Sequence, residues 1–453
     1  MSKTFRPYAP GQAFLLPPSP LDWLPEDHLA RFVMDVVGKL DLAAIYRRYE
    51  GDLRGYPPYH PQMMVALLLY GYCVGVPSSR KIERKTHEDV AFRVIAGGAH
   101  PDHSSVSEFR RVHLEALADL FVQVLRLCRA AGMVKLGHVS LDGTKVKANA
   151  SKHKAMSYDR MQKDEQRLKE KVAELLKAAE RADREEDAAY GKNKRGDELP
   201  EDLRRAKDRL ARIEELRTAL EAEAREQHDA AKAAENDKDR DPPPPGATPL
   251  PSHHVPRTKE GTPEPKAQRN FTDAESRIMK GGDGSFVQAY NCQAAVDAEH
   301  QIIVAAAVTN QPPDVEHLVP MVERVVHNCE AIPAKWSADA GYFSEANVLE
   351  TMKWKIDLYI ATGRRKHDEP APSVRGRPPA NLTIKQQMAR KLATKRGAAV
   401  YARRKVIPEP VFGQIKEARG FRRFLLRGLA KVRAEWSLMA LTHNLLKLHG
   451  VVG

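Results

Sequence analysis

Residues 137–151 read GHVSLDGTKVKANAS. A β-prone run meets Asp142, a glycine follows, and then come Thr144, Lys145 and Lys147. An acid at the end of a strand is most often a cap or turn residue. Lysines around it point elsewhere, to a carboxylate working beside a polyanion. The choice depends on whether the rest of the chain builds a sheet that brings a second acid to the same edge.

Downstream, GSFVQAYNCQAAVDAEHQIIVAAAVTN (284–310) predicts two strands around a turn at DAEH (297–300). DVEHLVPMVERVVHNC (314–329) has the spacing of an amphipathic helix. AKWSADAGYF (334–343) is a short strand ending in Asp339, EANVLETMKWK a helix, and DLYIATG (357–363) another strand. Beyond it the chain reads as helical and basic. The expected fold class is α/β, a mixed sheet flanked by helices, whose first and fourth strands each finish on an aspartate. Strands joined by right-handed helical crossovers can lie side by side with their C-terminal ends at one edge. Asp142 and Asp339 would then converge.

Two facing carboxylates can act as general acid and base, or hold hard cations. Basic surroundings favour cations when the substrate is a phosphodiester, where two Mg²⁺ ions about 3.5–4 Å apart serve the attacking and leaving oxygens. A third acid is expected from the basic segment YARRKVIPEPVFGQIKEARGFRRF (401–424), which holds only Glu409 and Glu417. Pro408 and Pro410 flank Glu409 and put it in a first helical turn. Phe412 and Lys416 follow on the same face. The plainer alternative is that Glu409 complements the helix dipole and Lys416 is solvated.

The chain has 453 residues, enough for two or three domains, and a formal net charge of +13. From Arg364 to Ala440 there are 20 Lys and Arg against 5 Asp and Glu, so this block carries the whole basic surplus. Such a block fits nucleic-acid contact better than a diffuse excess would. Cys73, Cys128, Cys292 and Cys329 form no CxxC pair, which argues against a zinc ribbon or a disulfide framework. The N-terminus lacks a signal-peptide core, and MMVALLLYGYCVGV (63–76) is too short to span a bilayer. A cytoplasmic protein is expected, with no membrane partner.

Residues 1–135 read as an N-terminal helical domain, either a helix-turn-helix-like DNA-binding module or an ordinary bundle. Ser107 is a candidate N-cap for its last helix. Residues 152–240 are rich in both charges, with apolar positions at spacings of three and four, and predict an inserted antiparallel helical hairpin, a short coiled coil. Residues 241–270 read as a Pro-rich flexible linker in which His253 and His254 are solvated. The core is assigned to 136–151 and 271–450. VRGRPPA (374–380) resembles a minor-groove hook, though a flexible basic linker is the commoner identity of such a stretch.

Several motifs in order carry a family resemblance. YHPQMMVALLLYGYCVGVPSSRKIE, SLDGTKVKANAS, GSFVQAYNCQAAVD, WSADAGYFS, YARRKVIPEPVFGQIK and EWSLMALTHNLLKL are together similar to bacterial insertion-sequence transposases of the DDE type. That resemblance implies an RNase H-like catalytic core and a triad of Asp142, Asp339 and Glu409 holding Mg²⁺ or Mn²⁺, as two ions. It puts Tyr401, Arg404 and Lys416 in accessory positions on DNA, beside Thr144, Lys145 and Lys147. Four residues separate Arg404 from Glu409, where the commonly written signature has three. The implied activity is metal-dependent cleavage of transposon ends and strand transfer to target DNA. The implied partners are terminal inverted repeats and target DNA, with a homodimer or larger assembly on DNA in the nucleoid. Two alternatives stay open: a metal-dependent nuclease without strand transfer, and an inactive transposase-derived DNA-binding protein.

Overall fold

The computed structural model describes residues 19–50, 57–190, 201–236, 248–281, 284–363, 374 and 376–452. The chain divides into two compact units, one formed by Met1–Gln123 with Leu445–Gly453 and the other by Val124–Asn444.

The first unit is helical. Helix Pro61–Cys73 is built from the apolar stretch MMVALLLYGYC and is buried along most of its length. Basic helices follow at Ser79–Glu88 and His103–Val112. The latter is capped by Asp102, whose carboxylate accepts the backbone N–H groups of Ser104 and Ser105. Ser107 therefore lies inside the helix and does not cap it: the acid at 102 offers a charged acceptor to the first-turn amides.

The second unit is built on a mixed sheet. Its strands are β1 (Val139–Lys147), β4 (Arg277–Lys280), β5 (Phe286–Asp297), β6 (Ile303–Thr309), β7 (Lys335–Ala338) and β8 (Asp357–Ile360). Two short strands, β2 (Ala155–Ser157) and β3 (Gln268–Asn270), pair separately. The main order is β4-β5-β1-β7-β8, with β6 also on β5. β5 is antiparallel to β1, β4 and β6, whereas β1, β7 and β8 run parallel. β5 and β6 are almost wholly buried, as alanine- and valine-rich strands covered on both faces should be. Trp436, in the C-terminal helix, donates its indole N–H to the Gln293 carbonyl, and Asn444 brackets both backbone groups of Ile303.

The predicted hairpin is present as helices Tyr158–Tyr190 and Glu201–Asn236. Tyr158 bonds Glu221, Glu165 meets Arg217, and Lys169 meets Glu214, a descending series that makes the pair antiparallel. Met161, Leu168, Ala206 and Ile213 fill the seam. The turn at 191–200 lies outside the described residues.

Three expectations need correction. β1 does not stop at Asp142; it continues to Lys147 because β5 pairs with it residue by residue from Val139↔Asp297 to Lys147↔Ala289. Of the linker expected at 241–270, residues 241–247 lie outside the described residues, and 248–270 do not behave as a flexible linker. Val255 and Ala267 are buried against Leu220 and Ala224, and the Thr248 hydroxyl bonds Glu323. His253 is not solvated: its N–H bonds Asn310, and burial, with Arg277 and His254 adding, pulls its imidazole down to about 4. In the last two cases a proline-rich stretch is tied down by hydrogen bonds and apolar packing that composition does not reveal.

Candidate active site

The parallel register decides where the two aspartates go. Val139 faces Trp336 and Ser140 faces Ser337. Two residues beyond these serines stand Asp142, within β1, and Asp339, one residue past the end of β7 and still extended in backbone. Side chains alternate with period two, so both acids project on the face that carries Ser140 and Ser337. That shared face is visible one step back, where the Ser337 hydroxyl donates to Ser140 Oγ at 3.1 Å and lies 2.9 Å from His138 Nε2. β7 ends at Ala338, and Asp339 caps the following turn by accepting the Gly341 N–H at 2.8 Å. Beyond β7, β1 runs on alone on that side, so Asp142 sits at a step in the sheet edge.

Asp142 is nearly buried, with 17% of its side chain exposed. Its carboxyl is raised to about 6, by burial first and by the charges of Asp339 and Asp314, against the Arg404 guanidinium and the Gly143 N–H, which pull it down. Arg404 Nη1 stands 3.5 Å from Asp142 Oδ2, and its guanidinium lies over the Tyr401 ring. The buried Arg404 Nε has no hydrogen-bond partner. Asp339, Asp314, Gly341, Tyr401 and Arg404 line one cleft.

Lys416 approaches β1 from the short helical turn Gln414–Ala418. Its ammonium donates to the Thr144 hydroxyl and, at 3.1 Å, to the Lys145 carbonyl, and burial lowers its affinity for a proton. Lys145 turns inward, 3.2 Å from Asp314 Oδ1 and 2.8 Å from the Pro312 carbonyl. Lys147 is exposed. Glu409 is exposed in the first turn of helix Pro408–Gly413, which packs on β1. Thus Asp142, Asp339, Tyr401 and Arg404 share one neighbourhood, Thr144, Lys145 and Lys416 are tied together on β1, and Glu409 is not among the charges that act on Asp142. Among the described residues, no three His, Cys, Asp or Glu side chains gather as a metal-holding group.

Two family models match the chain. Residues 18–112 match one described as a Transposase domain (DUF772), and residues 373–449 match one described as a Transposase DDE domain. Both matches support an insertion-sequence DDE transposase. The DDE-domain match spans Tyr401, Arg404, Glu409 and Lys416, while Asp142 and Asp339 lie outside it and are joined to it by the fold. No curated protein and no solved structure matches. Among the described residues, no helix is long and apolar enough to cross a membrane.

The sheet carries one acid that sequence reading missed. Asp314 Oδ1 accepts from Asn291 Nδ2 at 2.7 Å, Gln293 Nε2 at 2.9 Å and Lys145. Tyr342 donates to Gln293 beside it and is fully buried. This cluster closes over Gly143, where a Cβ would stand 2.6 Å from Gln293 Nε2, 3.0 Å from the Tyr342 hydroxyl and 3.1 Å from Asp314 Oδ1. Gly143 is thus the residue that lets the polar cluster pack against β1. The available signal was Asn291 and Gln293, two amides two residues apart in a largely apolar strand, which must meet a polar partner when buried.

Proposed function

We propose that the chain is an active DNA transposase that cuts the ends of its element and joins them to target DNA. The observation that supports this most is the parallel register, which brings Asp142 on β1 and Asp339, just past the end of β7, to the same edge beside Arg404. The sheet fits an RNase H-like core: an antiparallel meander continued by two strands parallel to its first.

The donor set fits hard divalent cations. Asp142 and Asp339 offer oxygen ligands only, and burial, with the charges of Asp339 and Asp314 adding, raises the Asp142 carboxyl, a cost that a cation relieves. Asp142 and Asp339 would hold Mg²⁺ or Mn²⁺, with Glu409 as the third acid once DNA and cation are present. When bound, such cations supply positive charge to the attacking and leaving oxygens of a phosphodiester. Arg404 favours the ionised form of Asp142 and offers charge-assisted donors to a phosphate. Lys416 fixes Thr144 and the end of β1, and Lys145 fixes Asp314; both act on DNA through the strand they hold. The reaction is hydrolysis of the element's end followed by attack of the freed 3′-hydroxyl on target DNA.

The test is a cleavage and joining assay on DNA carrying the element's inverted repeats. Asp142→Asn and Asp339→Asn should each lower cleavage by about a thousandfold or more while retaining DNA binding. Cut but unjoined ends from the wild-type chain would favour a nuclease, and no cutting at all an inactive derivative.

A further inference from the structure

Past Asp142, β1 leads to a second site. A cavity of about 530 Å³ opens where β1 ends and β5 begins. Lys147, Lys152, Arg423 and Arg427 line it, all exposed, and none of the four is ion-paired among the described residues. Phe286 stands at its rim with 58% of its surface in solvent, the most exposed of the large aromatic side chains among the described residues.

The walls are held rigidly by backbone. Arg423 bridges Lys147 in parallel, the Lys147 carbonyl accepts the Phe424 N–H at 2.9 Å, and Arg427 Nε donates to the Asn149 carbonyl at 3.0 Å. Glu435, wholly buried, accepts the N–H groups of Leu425 and Leu426 and so fixes the turn between Arg423 and Arg427. An aromatic ring left in water beside four unpaired cations is unexplained by folding. It costs apolar exposure and like-charge crowding that no ion pair among the described residues offsets.

We propose that this groove binds single-stranded DNA, with a base stacked on Phe286 and the neighbouring phosphates on Lys147, Arg423 and Arg427. Cations that track a backbone, interleaved with an aromatic face, make a stacking platform, which accepts any base because every base has a π-face. The cavity has the volume of a small-ligand pocket, suited to one or two nucleotides and not to a duplex. In a duplex the base faces are already stacked, so Phe286 selects unpaired nucleotides. Lys147 lies five residues past Asp142 on one strand, about 16 Å away, or about five helical rises of DNA. An unpaired stretch there is continuous with a strand whose phosphate sits at the aspartates. The inference rests on the DNA-cutting reading for its biological sense, but the binding stands or falls separately.

The test uses the full chain and two probes: a blunt duplex of arbitrary sequence, and the same duplex with a short 3′ overhang containing 2-aminopurine. The overhang should bind more tightly, with the probe quenched. Phe286→Ala should weaken overhang binding about tenfold, abolish the quenching and leave the blunt duplex unaffected. Phe286→Trp should restore both. Lys147→Ala and Arg423→Ala should each lower the salt slope for the overhang by about 0.7. Equal affinity for both probes, or quenching that survives Phe286→Ala, would overturn the proposal. Quenching without end cleavage would leave the groove standing and count against the transposase chemistry alone.

Discussion

At the scale of single residues, the site depends on side chains that differ in how visible they are in sequence. Asp142 and Asp339 were legible because each closes an apolar β-prone run, and the register carries both to the same face. Asp314, Gln293 and Tyr342 were not, because their bonds join three separate segments that only the folded sheet brings together. The family resemblance puts Lys416 in an accessory position on DNA, whereas its ammonium donates to Thr144 and the Lys145 carbonyl. Lys416→Ala should therefore lower stability and activity and leave the salt slope of DNA binding unchanged; a slope reduced by about one unit would return it to the phosphates. Gly143→Ala should cost about 1–3 kcal/mol in a denaturant titration, since Gln293, Tyr342 and Asp314 are held by their own bonds and cannot all withdraw. Glu409→Gln should retain DNA binding and lose cleavage, while Glu417→Gln, whose carboxylate pairs with exposed Arg422, should keep both. Equal losses in the two variants would mean that Glu409 is not the third acid.

Among the elements, the hairpin was the easiest to read and its base the hardest. Apolar spacing and balanced charge announce two helices, but nothing in composition says that Glu223 reaches back to Arg269 and Arg277, both nearly buried. Removing one partner of such a pair leaves a buried charge uncompensated. Glu223→Ala should thus destabilise the sheet-bearing unit by about 3 kcal/mol in a urea titration. Replacing 176–202 by a short turn should leave its midpoint nearly unchanged, and the reverse ranking would show that the distal hairpin is the structural part. The sheet itself contains a pH-sensitive contact. Burial, with Arg403 and Lys335 adding, lowers His138 from 6.5 to about 4. The unfolded chain therefore takes up this proton first, so the stability due to neutral His138 is complete above pH 6.5 and is lost as pH falls toward 4. His138→Gln should flatten the urea midpoint across that window, and an unchanged slope would mean that other groups titrate there.

For the whole molecule, the basic surplus lies in the C-terminal block from Arg364 to Ala440, part of which, 364–373 and Arg375, is outside the described residues. DNA binding by the chain should weaken steeply with salt, because each neutralised phosphate releases condensed counterions. The central claim is that Asp142 and Asp339, distant in sequence, form one cation site. Fe²⁺ bound in place of Mg²⁺ tests it directly, since peroxide and ascorbate then release hydroxyl radicals that cut the backbone beside the ligands. The expected pattern on the full chain is one cut in β1 near Asp142 and one just after β7 near Asp339. Both should disappear together in Asp142→Asn and both be suppressed by excess Mg²⁺. A cut at only one of the two positions, or one that persists when the other aspartate is replaced, would contradict the account.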